Sequence, residues 1–141
     1  MKKIAVLLVF LGVFASCGEK KDPAFLAPPE WLVGSWDQNT TPTTVSMTFT
    51  ADDIYYSDRY GDYLYSEKYG AGYAITEETG EASGLKYYKA NFLEGDAVTG
   101  TLYQHQFILL TNNTTVSYTY KKVDMLSSSV LIKSSTNLYR Q

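Results

Sequence analysis

A single cysteine and a single histidine are all this chain offers of the residue types that most often build disulfides and metal centres. One Cys excludes an intramolecular disulfide and any multi-cysteine zinc site, and one His excludes a histidine-rich centre. No metal and no cofactor is expected. A Gly-x-Ser-x-Gly nucleophile elbow is missing too. His105 stands between Gln104 and Gln106 on an expected strand, where an imidazole is more often a satisfied or a surface group than a catalytic base. The chain is expected not to be an enzyme. Basic residues are few, 12 against 15 acidic ones, for a net charge of −3 and a pI near 5.1. That balance leaves no broad electrostatic footprint for nucleic acid. Helical periodicity is lacking as well: no window of ~11 residues keeps apolar positions at i, i+3, i+4 and i+7 without a Gly or a polar run breaking it. With 141 residues the chain has room for one ordinary domain.

What is present begins with an address. Lys2 and Lys3 precede an unbroken run of apolar residues and Gly from Ile4 to Ala15, 12 residues long, well short of the ~20 that a membrane-spanning helix needs. Such a run reads as the core of a signal peptide. Phe14-Ala15-Ser16-Cys17 closes it and resembles a bacterial lipobox, with Phe14 where Leu is more usual. The resemblance implies that residues 1–16 are removed, that Cys17 becomes the lipidated N-terminus, and that the domain is tethered to a membrane. Several acyl chains anchor stably where one would not, because each buried methylene adds ~0.8 kcal/mol. Gly18 follows; lipoprotein sorting retains chains with Asp at that place, so the resemblance points to the bacterial outer membrane. Removing Lys2 and Lys3 leaves 10 basic against 15 acidic residues. Residues 17–29 (CGEKKDPAFLAPP) carry the lipidated Cys and then read as a semi-rigid, proline-rich spacer.

Residues 30–141 are the expected folded domain, and their composition argues for strands. The chain holds 13 Tyr, and Tyr, Thr, Val, Ile, Phe and Trp all favour pleated surfaces. Val45, Met47 and Phe49 alternate with polar residues, as do Val116, Tyr118 and Tyr120; each stretch reads as a strand with one dry face. Short strand candidates separated by turn chemistry follow one another: Ile54–Tyr56, Tyr63–Tyr65, Tyr73–Thr76 before a turn at Glu77-Glu78-Thr79-Gly80, Leu85–Phe92, Gly100–Leu110, Ser129–Lys133 and Asn137–Arg140. About eight antiparallel strands with no helix to cover them can hide their edges by closing into an up-and-down β-barrel; a two-sheet β-sandwich is the alternative.

Trp31-Leu32-Val33-Gly34-Ser35-Trp36 resembles the opening of a lipocalin-like, calycin-type barrel, in which a 3₁₀ turn leads into a first strand carrying Gly-x-Trp. The resemblance implies that Gly34 allows close backbone approach, that Trp36 plugs one end of the barrel, and that a late basic residue, here Arg140, stacks on the indole. It covers one motif, the strand rhythm and that Arg; the family's middle motifs are not found. Two functional expectations follow. If the alternating faces point inward, Met47, Phe49, Tyr118 and Tyr120 line a cavity for a small apolar or amphipathic ligand. Nine tyrosines fall between Tyr55 and Tyr88 among glycines, so Tyr63 and Tyr65 could instead recognise an envelope protein or glycan from the surface of a solid barrel. An open pocket of ~300 Å³ or more favours the first expectation. Asp52, Asp53, Asp58 and Asp62 do not have the spacing of a calcium loop and read as turn residues. A monomer is expected.

The anchor is directly testable. Cys17→Ser should abolish acylation, because only the thiol accepts the diacylglycerol, and should yield precursor or soluble protein on fractionation. Unchanged membrane fractionation without precursor would refute the lipoprotein expectation.

Overall fold

A computed structural model describes residues 25–40 and 44–141; the expected signal peptide and Cys17 lie outside them. Nine strands form one antiparallel sheet: β1 (Gly34–Asp37), β2 (Val45–Phe49), β3 (Ile54–Asp58), β4 (Gly61–Leu64), β5 (Tyr73–Ala82), β6 (Leu85–Glu94), β7 (Thr101–Leu109), β8 (Thr115–Asp124) and β9 (Ser129–Arg140). A five-residue helix, α1 (Tyr65–Tyr69), joins β4 to β5. Spatial order runs β4-β3-β2-β1-β9-β8-β7-β6-β5, and the sheet curls through 212° into an open half-barrel. The expected closed barrel of about eight strands is therefore corrected to an open, nine-stranded sheet, and one continuous sheet also replaces the sandwich alternative. Among the described residues no helix is long and apolar enough to cross a membrane.

The barrel stays open where α1 sits. β4 has four residues and β5 has ten, and the helix between them carries the chain across the gap instead of turning it into a pairing register. Tyr65 and Tyr69, four residues apart and hence on one helical face, are both fully buried, with their rings edge to face at 5.5 Å. They fill the space that two more paired strands would have enclosed. Asp53 fixes the helix from outside, its carboxylate accepting from the Ser66 amide at 3.2 Å and the Ile54 amide at 2.7 Å. The chain before β1 covers more of the gap. Leu26 is buried, its amide bonded to the Asp52 carbonyl at 3.0 Å, while Phe25 stacks on Phe92 and the Ala27 amide donates to Glu77. Residues 25–29, expected in the spacer, are thus packed against the domain, because Phe25 and Leu26 have an apolar slot to fill.

Side-chain alternation decides the core. Met47 and Phe49 on β2 and Val116 and Tyr118 on β8 all point to the concave side and are buried. Phe107 lies between them, stacked on Tyr118 at 4.9 Å and edge-on to Phe49 at 5.0 Å. Two local expectations fail. Glu77-Glu78-Thr79-Gly80 is in the ladder, paired with residues 87–90 of β6. The turn falls at Ser83-Gly84, both with positive φ (52° and 75°), the two-residue hairpin geometry for which Gly has no steric penalty. Ser129 to Arg140 is one strand rather than two, accommodating a bulge at Leu131 where Lys122 faces Ile132 and Val123 faces Val130.

The far end of the half-barrel is sealed around Trp36. Its indole is 1% exposed, and its Nε1 donates to the Leu32 carbonyl at 2.8 Å. Arg140, directly opposite on β9, lays its guanidinium 4.6 Å from the ring centroid and donates to the Trp31 carbonyl at 2.7 Å. Gly34 holds φ at +129°, where a side chain would be strained, and faces the same guanidinium. Trp36→Ala should lower stability by about 3–5 kcal/mol, as buried aromatic truncations do. Trp31→Ala, at a half-buried ring, should cost less. Urea midpoints for the two variants check this; equal small shifts would contradict it.

Candidate functional site

Above the apolar layer the concave face turns aromatic and polar, and its centre is His105. β7 delivers the imidazole inward, 2% exposed, between three phenols. Nδ1 lies 2.9 Å from the Tyr118 hydroxyl and 3.0 Å from that of Tyr65, and Nε2 lies 3.1 Å from that of Tyr69. Either neutral tautomer satisfies the ring. With the proton on Nε2, that N–H donates to the Tyr69 oxygen and Nδ1 accepts from a Tyr118 or Tyr65 hydroxyl; with it on Nδ1, the N–H donates to one of those oxygens and the Tyr69 hydroxyl donates to Nε2. Burial, helped by the nearby Lys68 charge, lowers the His105 pKa to about 3, so the ring is neutral. Burial likewise pushes Tyr65, Tyr69 and Tyr118 upward, and all three remain phenols.

An open cavity of about 610 Å³ lies over this cluster. Tyr56, Tyr63, Tyr69, Tyr118 and Tyr120 wall it, with Lys68, Asp58 and Asp62 contributing charge and β9 supplying Ser134 and Thr136. Tyr56 and Tyr63 stack at 5.1 Å on one side. Lys68 reaches in from α1. Its ammonium stands 4.0 Å from the Tyr63 ring centroid and 5.4 Å from that of Tyr69, and donates to the Tyr63 hydroxyl at 2.9 Å. Desolvation lowers its pKa against the opposing field of Asp58. Among the described residues the one salt bridge is Lys89–Glu78, on the outer face; Lys68 has none. Asp58 is already occupied, accepting from the Tyr60 amide at 2.7 Å and the Tyr56 hydroxyl at 3.1 Å.

The residues singled out from the sequence are distributed as follows. Tyr118 and Tyr120 line the cavity, whereas Met47 and Phe49 lie in the packed layer beneath it and do not. Tyr65 is fully buried on α1, and half-buried Tyr63 faces the cavity. The expected surface position of Tyr65 is corrected: a helical turn after Leu64 rotates it into the core. Gly34, Trp36 and Arg140 meet at the opposite, sealed end. Lys68 and Tyr69 were missed. Ser66-Glu67-Lys68 looks like a polar turn in sequence, and only the one-turn helix places Lys68 inward. No family model, no characterised protein and no solved structure matches this chain.

The buried imidazole makes stability depend on acid in a definite direction. The folded His105 pKa of about 3 lies below the ordinary 6.5, so on acidification the unfolded chain takes up the proton first. The stability that neutral His105 contributes is complete above pH 6.5 and is lost as the pH falls toward 3, at about 1.4 kcal/mol per pH unit. Urea midpoints between pH ~5.5, more than a unit above the ordinary carboxylate values, and pH 7 should show this slope in the parent and lose it in His105→Gln. Equal slopes would contradict a buried neutral ring.

Proposed function

We propose that the protein is a non-enzymatic, lipid-anchored envelope protein whose half-barrel binds a small amphipathic molecule with an anionic group. The observation that carries this reading is the Lys68 ammonium at the mouth of a roomy, tyrosine-walled cavity, held over the Tyr63 ring and in no salt bridge among the described residues, although Asp58 and Asp62 line the same cavity. A desolvated cation gains most from an anionic partner brought to it in the same low-dielectric place. The aromatic walls supply area for an apolar body, and phenol hydroxyls near Lys68 can orient a head group. Against catalysis stand an imidazole held neutral with both nitrogens engaged and phenols shifted away from ionisation. No group in the cluster is poised to exchange protons near neutral pH. The lipocalin-like assignment rests on the Gly34 and Trp36 motif with Arg140 stacked upon it, and the outer-membrane location rests on Cys17 and Gly18. Recognition by a Tyr-rich surface, the second reading, would have to do without the buried Tyr65.

Calorimetric titration with dodecanoate and with dodecanol, two probes of equal chain length, tests the reading. Dodecanoate should bind more tightly. Lys68→Gln should weaken it by about tenfold or more while leaving the alcohol unchanged, since a hydrogen bond to a charged group contributes ~1.5–3 kcal/mol. Tyr118→Phe with Tyr120→Phe should weaken both probes modestly. No binding by either probe, or carboxylate affinity indifferent to Lys68, would overturn it.

A further inference from the structure

Exposed apolar side chains are not spread evenly over this molecule. Tyr60, Val98, Leu126, Val130, Leu131 and Ile132 have half or more of their surface exposed. All six lie at the mouth end, on the β3–β4, β6–β7 and β8–β9 connections; no other large apolar residue among those described exceeds 37%. Four of the six belong to the β8–β9 hairpin. Its base, at Tyr120 and Ser134, forms part of the cavity wall, and its tip carries residues 126–133, every one of them exposed.

Three features of this hairpin favour one kind of partner. Val130, Leu131 and Ile132 are consecutive and 50–55% exposed. Alternation and the Leu131 bulge turn them to both sides of the ribbon, so a protein docking on one face would leave the others wet, whereas hydrocarbon surrounds them all. From Lys121 to Lys133 the hairpin carries three lysines and one aspartate, a local excess of positive charge in a chain whose net charge is −3. Lys121 and Lys133 are directly opposite each other, a like-charge pair that costs free energy until an anion lies across it; neither forms a salt bridge. Asp124 is committed to the turn, accepting from the Leu126 amide at 3.2 Å and the Ser127 hydroxyl at 2.5 Å.

We infer that the β8–β9 hairpin inserts its apolar tip into the head-group region of an anionic lipid bilayer, with Lys121 and Lys133 at the lipid phosphates, so that the cavity mouth opens against the membrane. Lysine stems lying along an apolar surface with their ammonium groups outward suit that interface.

The test places a tryptophan at the tip of the full acylated chain, in vesicles of phosphatidylcholine with about one third phosphatidylglycerol. Emission from Leu126→Trp, with the parent spectrum subtracted, should shift to the blue and be quenched by lipids brominated near the head group several-fold more than Val33→Trp at the sealed end. Adding Lys121→Gln and Lys133→Gln should remove most of that difference. Circular dichroism confirms that each variant is folded. Tethering alone would give equal bromolipid quenching and free acrylamide access at both positions, and would overturn the inference. Shielding of Leu126→Trp from both quenchers would also overturn it, since a second copy or another protein would then cover the hairpin.

Discussion

An imidazole in the interior of a small β protein is tolerable only when both ring nitrogens are satisfied, and here that requirement reaches across three elements. His105 comes from β7, Tyr118 from β8, and Tyr65 and Tyr69 from α1. Leaving one of these groups unpaired would cost ~1–3 kcal/mol, so the network fixes where α1 must lie. The aromatic contacts strengthen the same geometry: Tyr69 stacks on Phe92 at 4.0 Å and Tyr65 packs edge-on against it at 5.7 Å, each such pair adding ~0.5–1.5 kcal/mol beyond area burial.

With α1 so placed, β4 and β5 cannot pair, and the sheet ends as an open half-barrel with two edges. The same placement turns Lys68 toward the cavity and sets its ammonium over Tyr63, in no salt bridge among the described residues. A polar floor, aromatic walls and a cation at the mouth therefore share one structural cause. At the opposite end the Trp36, Leu32 and Arg140 arrangement seals the core, so any guest exchanges through the mouth.

The strand content was legible because alternation is local. Val45-Ser46-Met47-Thr48-Phe49 states its own parity, and Val116 to Tyr120 does the same. Trp36 and Arg140 could be paired on paper only through a family resemblance, since 104 positions separate them. Closure was misjudged because it depends on what lies between β4 and β5, and a five-residue helix is too short to leave a periodic signature. Tyr65 shows the consequence: read as a strand residue it belongs on the surface, and one helical turn buries it. Glu77 to Gly80 misled because turn residues were weighed without their partners, Ser83-Gly84 being the shorter loop that fits the register. His105 was expected to be either a satisfied or a surface imidazole; it is buried and satisfied, and its partners, two of them on α1, are long-range and have no trace in the neighbouring sequence.

Because the chain has one histidine, the state of its ring can be read without assignment ambiguity. Long-range ¹H–¹⁵N correlation spectra of the imidazole, recorded from pH 7 down to pH 4, test the central claim most directly. A neutral ring in a single tautomer, with no titration over that range, is the result this structure predicts. Averaged tautomers with a midpoint near 6.5 would mean that His105 meets water, and that the network holding α1 in the gap does not exist.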